Sequence, residues 1–137
     1  MASKREQVLE AIKAMLQTAL PGAEIVRDSQ ENGEPGAHGR INILAGDPGE
    51  PEVTLSPVLY SYRHRISLEI LPPASGLDGM LTPIGAAIEA DRFLGGLADW
   101  MEPTAPDVAS RDVDGSLQID WAEVGLTVDY TTPNPLL

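Results

Sequence analysis

A chain of 137 residues suffices for one ordinary domain, which buries roughly two thirds of its unfolded surface in a single core. Cysteine is absent, which excludes disulfides, thiolate metal sites and cysteine nucleophiles. The formal net charge of −12 opposes nucleic-acid binding, because affinity for the phosphate backbone comes largely from lysine and arginine displacing counterions.

With one Phe, two Trp and three Tyr, the core is expected to be aliphatic. The opening MASKREQVLEAIKAML carries charges on both sides of its apolar positions, so it reads as an amphipathic helix instead of a signal peptide. Nowhere do about 18 apolar residues run together, which argues against a membrane span. A cytoplasmic site of assembly is the expectation.

Ser3, with Glu6 three positions later, has the form of a capping box. Val8, Ile12, Met15, Leu16 and Ala19 then recur at helical spacing, so a helix is predicted over 4–20, ending at Pro21-Gly22. A short strand is expected over 23–27, followed by a polar, glycine-rich surface loop over 28–39. Ile41, Ile43 and Ala45 alternate with Asn42 and Leu44 in a second strand, which GDPGEPE at 46–52 interrupts. The strongest β pattern follows. Val58, Tyr60, Tyr62, His64, Ile66, Leu68 and Ile70 fall on one face, and Ser61, Arg63, Arg65, Ser67 and Glu69 on the other, until Pro72-Pro73 ends the strand.

Leu77, Leu81, Ile84 and Ile88 predict a second helix over 77–91, or a later start if Pro83 is its first residue. Gly95-Gly96 marks a break. Strands are expected over 108–113 and 117–121 around an Asp114-Gly115 hairpin turn, and a last strand carries Leu126, Val128 and Tyr130. The order α-β-β-β-α-β-β-β departs from regular βαβ alternation. It predicts an α+β fold with a mainly antiparallel or mixed sheet and two helices packed on one face, in a single domain over 1–137.

No catalytic constellation stands out. The chain has two histidines: His64 lies on the apolar strand face and reads as a hydrogen-bonded core residue, and His38 lies in the glycine-rich loop. Asp47, Glu50 and Glu52 in one loop, and Asp112 with Asp114 at the hairpin, are candidate oxygen ligands, but neither group fits the calcium-loop pattern and turns favour aspartate for other reasons. GEPGAHG and GDPGEP lack the Lys-Ser/Thr of a phosphate loop. The reading is therefore of a protein without enzymatic activity, cofactor or metal.

Surface charge offers more. The stretch 99–137 holds Asp99, Glu102, Asp107, Asp112, Asp114, Asp120, Glu123 and Asp129 against Arg111 alone. Arg63 and Arg65 stand together on the polar strand face, and one copy's basic stripe is expected to meet a neighbour's acidic edge at Asp112, Asp114, Asp120 and Asp129.

The segment IGAAIEADRFLGGLADWMEP (84–103) resembles the tail-terminator, or tail-completion, proteins of long-tailed bacteriophages and their prophage and gene-transfer-agent relatives. The family's helix ends in a turn matched here by Asp91, Leu94, Gly95, Gly96 and Leu97, with Phe93 where a smaller residue such as Thr is usual. The segments PGAEIVR (21–27), GDPGEPEVTLSP (46–57) and VDYTTPNPL (128–136) add to the likeness, which in order covers most of the chain. The resemblance implies a homo-oligomer, a hexameric ring that stops growth of the tail tube. Its partners would be the tail tube protein and the head-tail connector protein, with no nucleic-acid specificity and no membrane. Its place would be the tail of a phage-like particle assembled in the bacterial cytoplasm. The competing expectation is a monomeric acidic module that binds a protein or ligand, and behind it stands a small hydrolase using an acid pair.

Overall fold

The Ser3 hydroxyl accepts a hydrogen bond from the Glu6 N–H at 3.2 Å and starts the first helix, α1 (Lys4–Ala19), in the computed structural model. That structure describes the backbone of residues 2–30, 36–113 and 115–137, and the side chains of all of these but 111–113 and 116–120. Only half of the expected capping box forms, because the Glu6 carboxylate reaches across to Arg27 instead. Val8, Leu9, Ile12 and Leu16 make the buried stripe of α1.

The strands are β1 (Glu24–Arg27), β2 (Arg40–Leu44), β3 (Glu52–Thr54), β4 (Leu59–Leu71), β5 (Trp100–Pro103), β6 (Asp107–Val113) and β7 (Ser116–Thr132). They form one mixed sheet in the order β1-β2-β4-β7-β5, with β3 continuing beside β4 and β6 beside β7. Only β1 and β2 are parallel; the other pairings are antiparallel. The second helix, α2 (Asp78–Ala90), keeps Pro83 within it and buries Met80, Ile84 and Ile88. Both helices contribute their buried side chains to one core with Ile41, Ile43, Ile66, Leu68, Ile70, Val124, Leu126 and Val128. The fold is α+β, as the order of elements predicts, with the helices packed on one sheet face.

The spine is the β4–β7 ladder, which runs from Tyr60↔Thr132 to Ile70↔Ala122. It brings the alternating apolar residues of both strands to the same side, and each large aliphatic side chain buried there contributes about 1.5–3 kcal/mol. Three expectations are corrected here. Val58 is not on the strand; it lies in the turn before β4 and is exposed. The two strands expected near 117–121 and 126–130 are one continuous β7. Its glycine, Gly125, is not a break: a Cβ there would meet Thr104 Oγ1 at 3.1 Å and Arg65 Nη2 at 3.3 Å, so the close approach of neighbours requires it. Finally, 46–52 is followed by a further strand, β3, which pairs Glu52↔Ser61 through Thr54↔Leu59, and β5 is likewise an additional strand.

Val113 pairs with Ser116, the two residues that flank the expected Asp114-Gly115 turn. Asp114 itself, and the side chains of Asp112 and Asp120, lie outside the described residues.

Candidate functional site

The sheet face away from the helices is polar, because β4 and the 121–131 part of β7 place their odd-numbered residues there. Arg63 lies opposite Asp129 in the ladder and its Nε donates to Asp129 Oδ1 at 3.3 Å. The basic stripe thus has an acidic neighbour within its own chain. Arg65, opposite Thr127, is exposed. Ser67 donates to Glu123 at 3.1 Å, and the Trp121 indole donates to Glu69 at 3.4 Å. At the far end, Thr131 donates to Asp99 at 2.7 Å and meets the Ser61 hydroxyl at 3.2 Å.

Beside these groups lies an open recess of about 380 Å³ lined by Glu50, Glu52, Ser61, Tyr62, Arg63, Asp99 and Asp129. Four carboxylates surround a single guanidinium, so the recess favours cationic groups. Asp47, expected with Glu50 and Glu52, serves the turn instead, accepting from the Gly49 N–H at 2.8 Å. Among the described residues, no three His, Asp or Glu side chains converge as metal ligands would.

His64 is fully buried on the helix-covered face. Its Nε2 faces the Ala45 carbonyl, and its Nδ1 lies 3.0 Å from the Tyr130 hydroxyl. A carbonyl oxygen accepts only, so Nε2 carries the proton and Nδ1 accepts from Tyr130. Burial disfavours the imidazolium and lowers the His64 pKa, with Arg5 adding to that effect and the Ala45 carbonyl and Asp47 opposing it. Burial also pushes the Tyr130 pKa up to about 12. Tyr62 stacks on Tyr130 at a ring separation of 5.6 Å. With both ring nitrogens committed and no exposed surface, His64 is a core residue, as its position in the alternating pattern implies. His38 is exposed and lies against Gly22, where a Cβ would come within 2.7 Å of the imidazole.

The Asp91–Leu97 turn is built as a left-handed run: Leu94, Gly95 and Gly96 have φ of 48°, 64° and 100°. Asp91 accepts from the Phe93 N–H at 3.2 Å and from the Gly95 N–H at 2.8 Å, while the buried Leu94 anchors the turn in the core. Only glycine adopts such dihedrals freely, which explains the Gly-Gly pair. Leu94 is the strained member. Phe93 projects outward, edge-on to Trp100 at 6.0 Å, and the Arg92 guanidinium lies 4.7 Å over the Trp100 ring. Phe93 and Trp100 are 52% and 42% exposed, an aromatic-arginine grouping typical of protein interface anchors. No single expected residue signalled this cluster, because it joins a turn to the edge strand β5.

A second apolar surface lies on the helix side. Ala11, Ala14, Met15 and Ala19 of α1 and Pro83, Ala86 and Ala87 of α2 line an open groove of about 710 Å³, together with Asp91 and Leu94. The small side chains leave the helices incompletely interdigitated along this line. The sequence matches no family model, and comparison with curated proteins likewise finds no match.

Proposed function

We propose that this chain is a structural subunit of a phage-like tail, forming a hexameric ring that terminates the tail tube and joins it to the head connector. One observation carries the reading. Both helices cover a single sheet face, while the other face, the β5 edge and the β3–β4 hairpin remain open, with Phe93, Trp100, Val53 and Leu55 exposed at separate places. A subunit that meets copies of itself and two further proteins needs several distinct contact surfaces, and exposed anchors of this kind supply them. The likeness of 84–103 to the tail-terminator family gives the proposal its particular form, including the tube and connector as partners, a location in the particle and a non-catalytic role.

The reading is tested by mass determination and negative-stain imaging of the purified protein, alone and with tail-tube protein. Rings of uniform mass are expected. A monomer at every concentration that also ignores the tube would overturn the proposal.

A further inference from the structure

The β4–β7 ladder stops at Ala122, and the 116–121 end of β7 has β6 as its one neighbour among the described residues. The outer edge of β6 is free: its seven residues, DVASRDV, hold neither proline nor glycine, and no described strand pairs there. The adjoining edge strand, β5, is better protected. Its Met101 carbonyl accepts from Arg92 at 2.9 Å, and Pro103 has no N–H to offer. An open edge the length of β6 is a template for a further strand.

Which backbone groups that edge presents follows from the ladder. The Thr104 N–H donates to the Gly125 carbonyl at 2.8 Å and the Gly125 N–H to the Thr104 hydroxyl at 2.9 Å, so Gly125 turns its backbone groups toward β5. By alternation Glu123 and Trp121 turn theirs toward β6, where they meet Asp107 and Ala109. The N–H and C=O of Val108 and Ser110 are left on the free edge. The register shift does not disturb this order, because its extra residue, Asp120, falls on β7.

Charge supplies an independent observation at the same place. Asp107 lies opposite Glu123, which lies opposite Glu69, a row of three carboxylates on consecutive strands of the polar face. Glu123 accepts from Ser67 and Glu69 from Trp121, but no cation pairs with any of the three among the described residues. Like charges directly opposite one another destabilise a ladder, so the row calls for a cation at its open end, beyond Asp107.

We propose that β6 pairs antiparallel with β6 of a second copy, about a twofold axis at Ala109. Free-edge groups must meet free-edge groups, so the axis between two identical strands falls at a residue and not between two. With the axis at Ala109, Asp107 of each copy faces Arg111 of the other, and each carboxylate row gains its cation. With the axis at Val108 or Ser110 these residues miss one another, and at Asp107, Arg111 or Asp112 like charges meet. Val108, 51% exposed, then lies opposite the second copy's Ser110, and the small Ala109 lies opposite itself, where the strands approach most closely. The contact is isologous, so it goes beyond the head-to-tail contacts of a ring and holds with or without one.

The absence of cysteine allows a direct test. Residues opposite one another without mutual backbone hydrogen bonds have Cα atoms about 4.5 Å apart, within disulfide reach. Mild oxidation of Ala109→Cys should therefore give linked dimer several-fold above Ala105→Cys, an exposed control outside the strand. Charge exchange reads the register. Asp107→Arg and Arg111→Asp, each judged folded by circular dichroism, should both lose dimer in sedimentation velocity, whereas an equimolar mixture should regain it, because opposite charges then face each other at both positions. Equal cross-linking of the two cysteine variants, or a mixture no more associated than its components, overturns the pairing. Rings that form without the Ala109→Cys cross-link uphold the ring reading and reject this contact; a cross-linked, charge-rescued dimer without rings does the reverse.

Discussion

His64 sits on the helix-covered face of β4 between Ala45 and Tyr130, and its surroundings make it the residue through which pH reaches the core. Its folded pKa is lowered by burial from the ordinary value of 6.5, so the unfolded chain binds the proton more readily than the native one. Stability from the neutral, buried ring is complete above about pH 6.5 and declines as the pH falls toward the folded pKa, each tenfold change in proton affinity being worth about 1.4 kcal/mol. Protonation also turns Nδ1 from acceptor to donor against the Tyr130 hydroxyl, which must then reverse its own role. Thermal melts of the native chain should therefore fall between pH 7.5 and 5.5, and His64→Gln should flatten that slope while lowering the melting point overall. An unchanged slope in the variant would assign the pH response to other groups. Gly96, at φ 100°, is the other residue whose identity is dictated locally. Gly96→Ala forces a side chain into a region that L residues avoid and should cost about 1–2 kcal/mol in urea unfolding, with little change in secondary structure.

At the scale of elements, α2 is held by packing more than by propensity. It contains Gly79, Pro83 and Gly85, yet Met80, Ile84 and Ile88 dock it on the sheet. Gly85 has ordinary backbone dihedrals, and a Cβ added there meets nothing within 4 Å. Gly85→Ala should raise stability by about 0.5–1 kcal/mol through the unfolded-state entropy of glycine, measured by chemical denaturation. A loss would mean that the helix is strained at this point. Both helices and the β4 face were legible because their apolar residues follow 3.6- and 2-residue periods. The register of β4 and β7 was not, since it depends on residues about 60 positions apart meeting in space. Gly125 concealed the continuity of β7, and β3, exposed at all three of its residues and preceded by Pro51, carries no burial pattern to read. The Asp91–Gly96 turn showed in its glycines, whereas the groove beside it arises from alanines of two separate helices, residues that signal little individually.

For the whole molecule, the charge is large enough to govern how copies meet. Each chain carries −12, so bringing two together is opposed at long range whatever contacts they make on arrival. At about 0.01 M salt the screening length is about 30 Å, comparable to the domain itself; at about 0.15 M it is about 8 Å, and only charges near the contact still interact. A contact made by apolar side chains changes little over this range. Self-association, followed by sedimentation velocity at fixed protein concentration, should therefore strengthen from low to physiological salt and then level off. Had Arg63 and Arg65 been the main link to a neighbour's carboxylates, salt would weaken assembly throughout. Arg63 already has Asp129 beside it in its own sheet, which leaves Arg65 as the more available cation of the pair. Arg65→Glu should accordingly disturb association more than Arg63→Glu if the polar sheet face takes part, and a salt response that falls monotonically would restore that face as the principal contact.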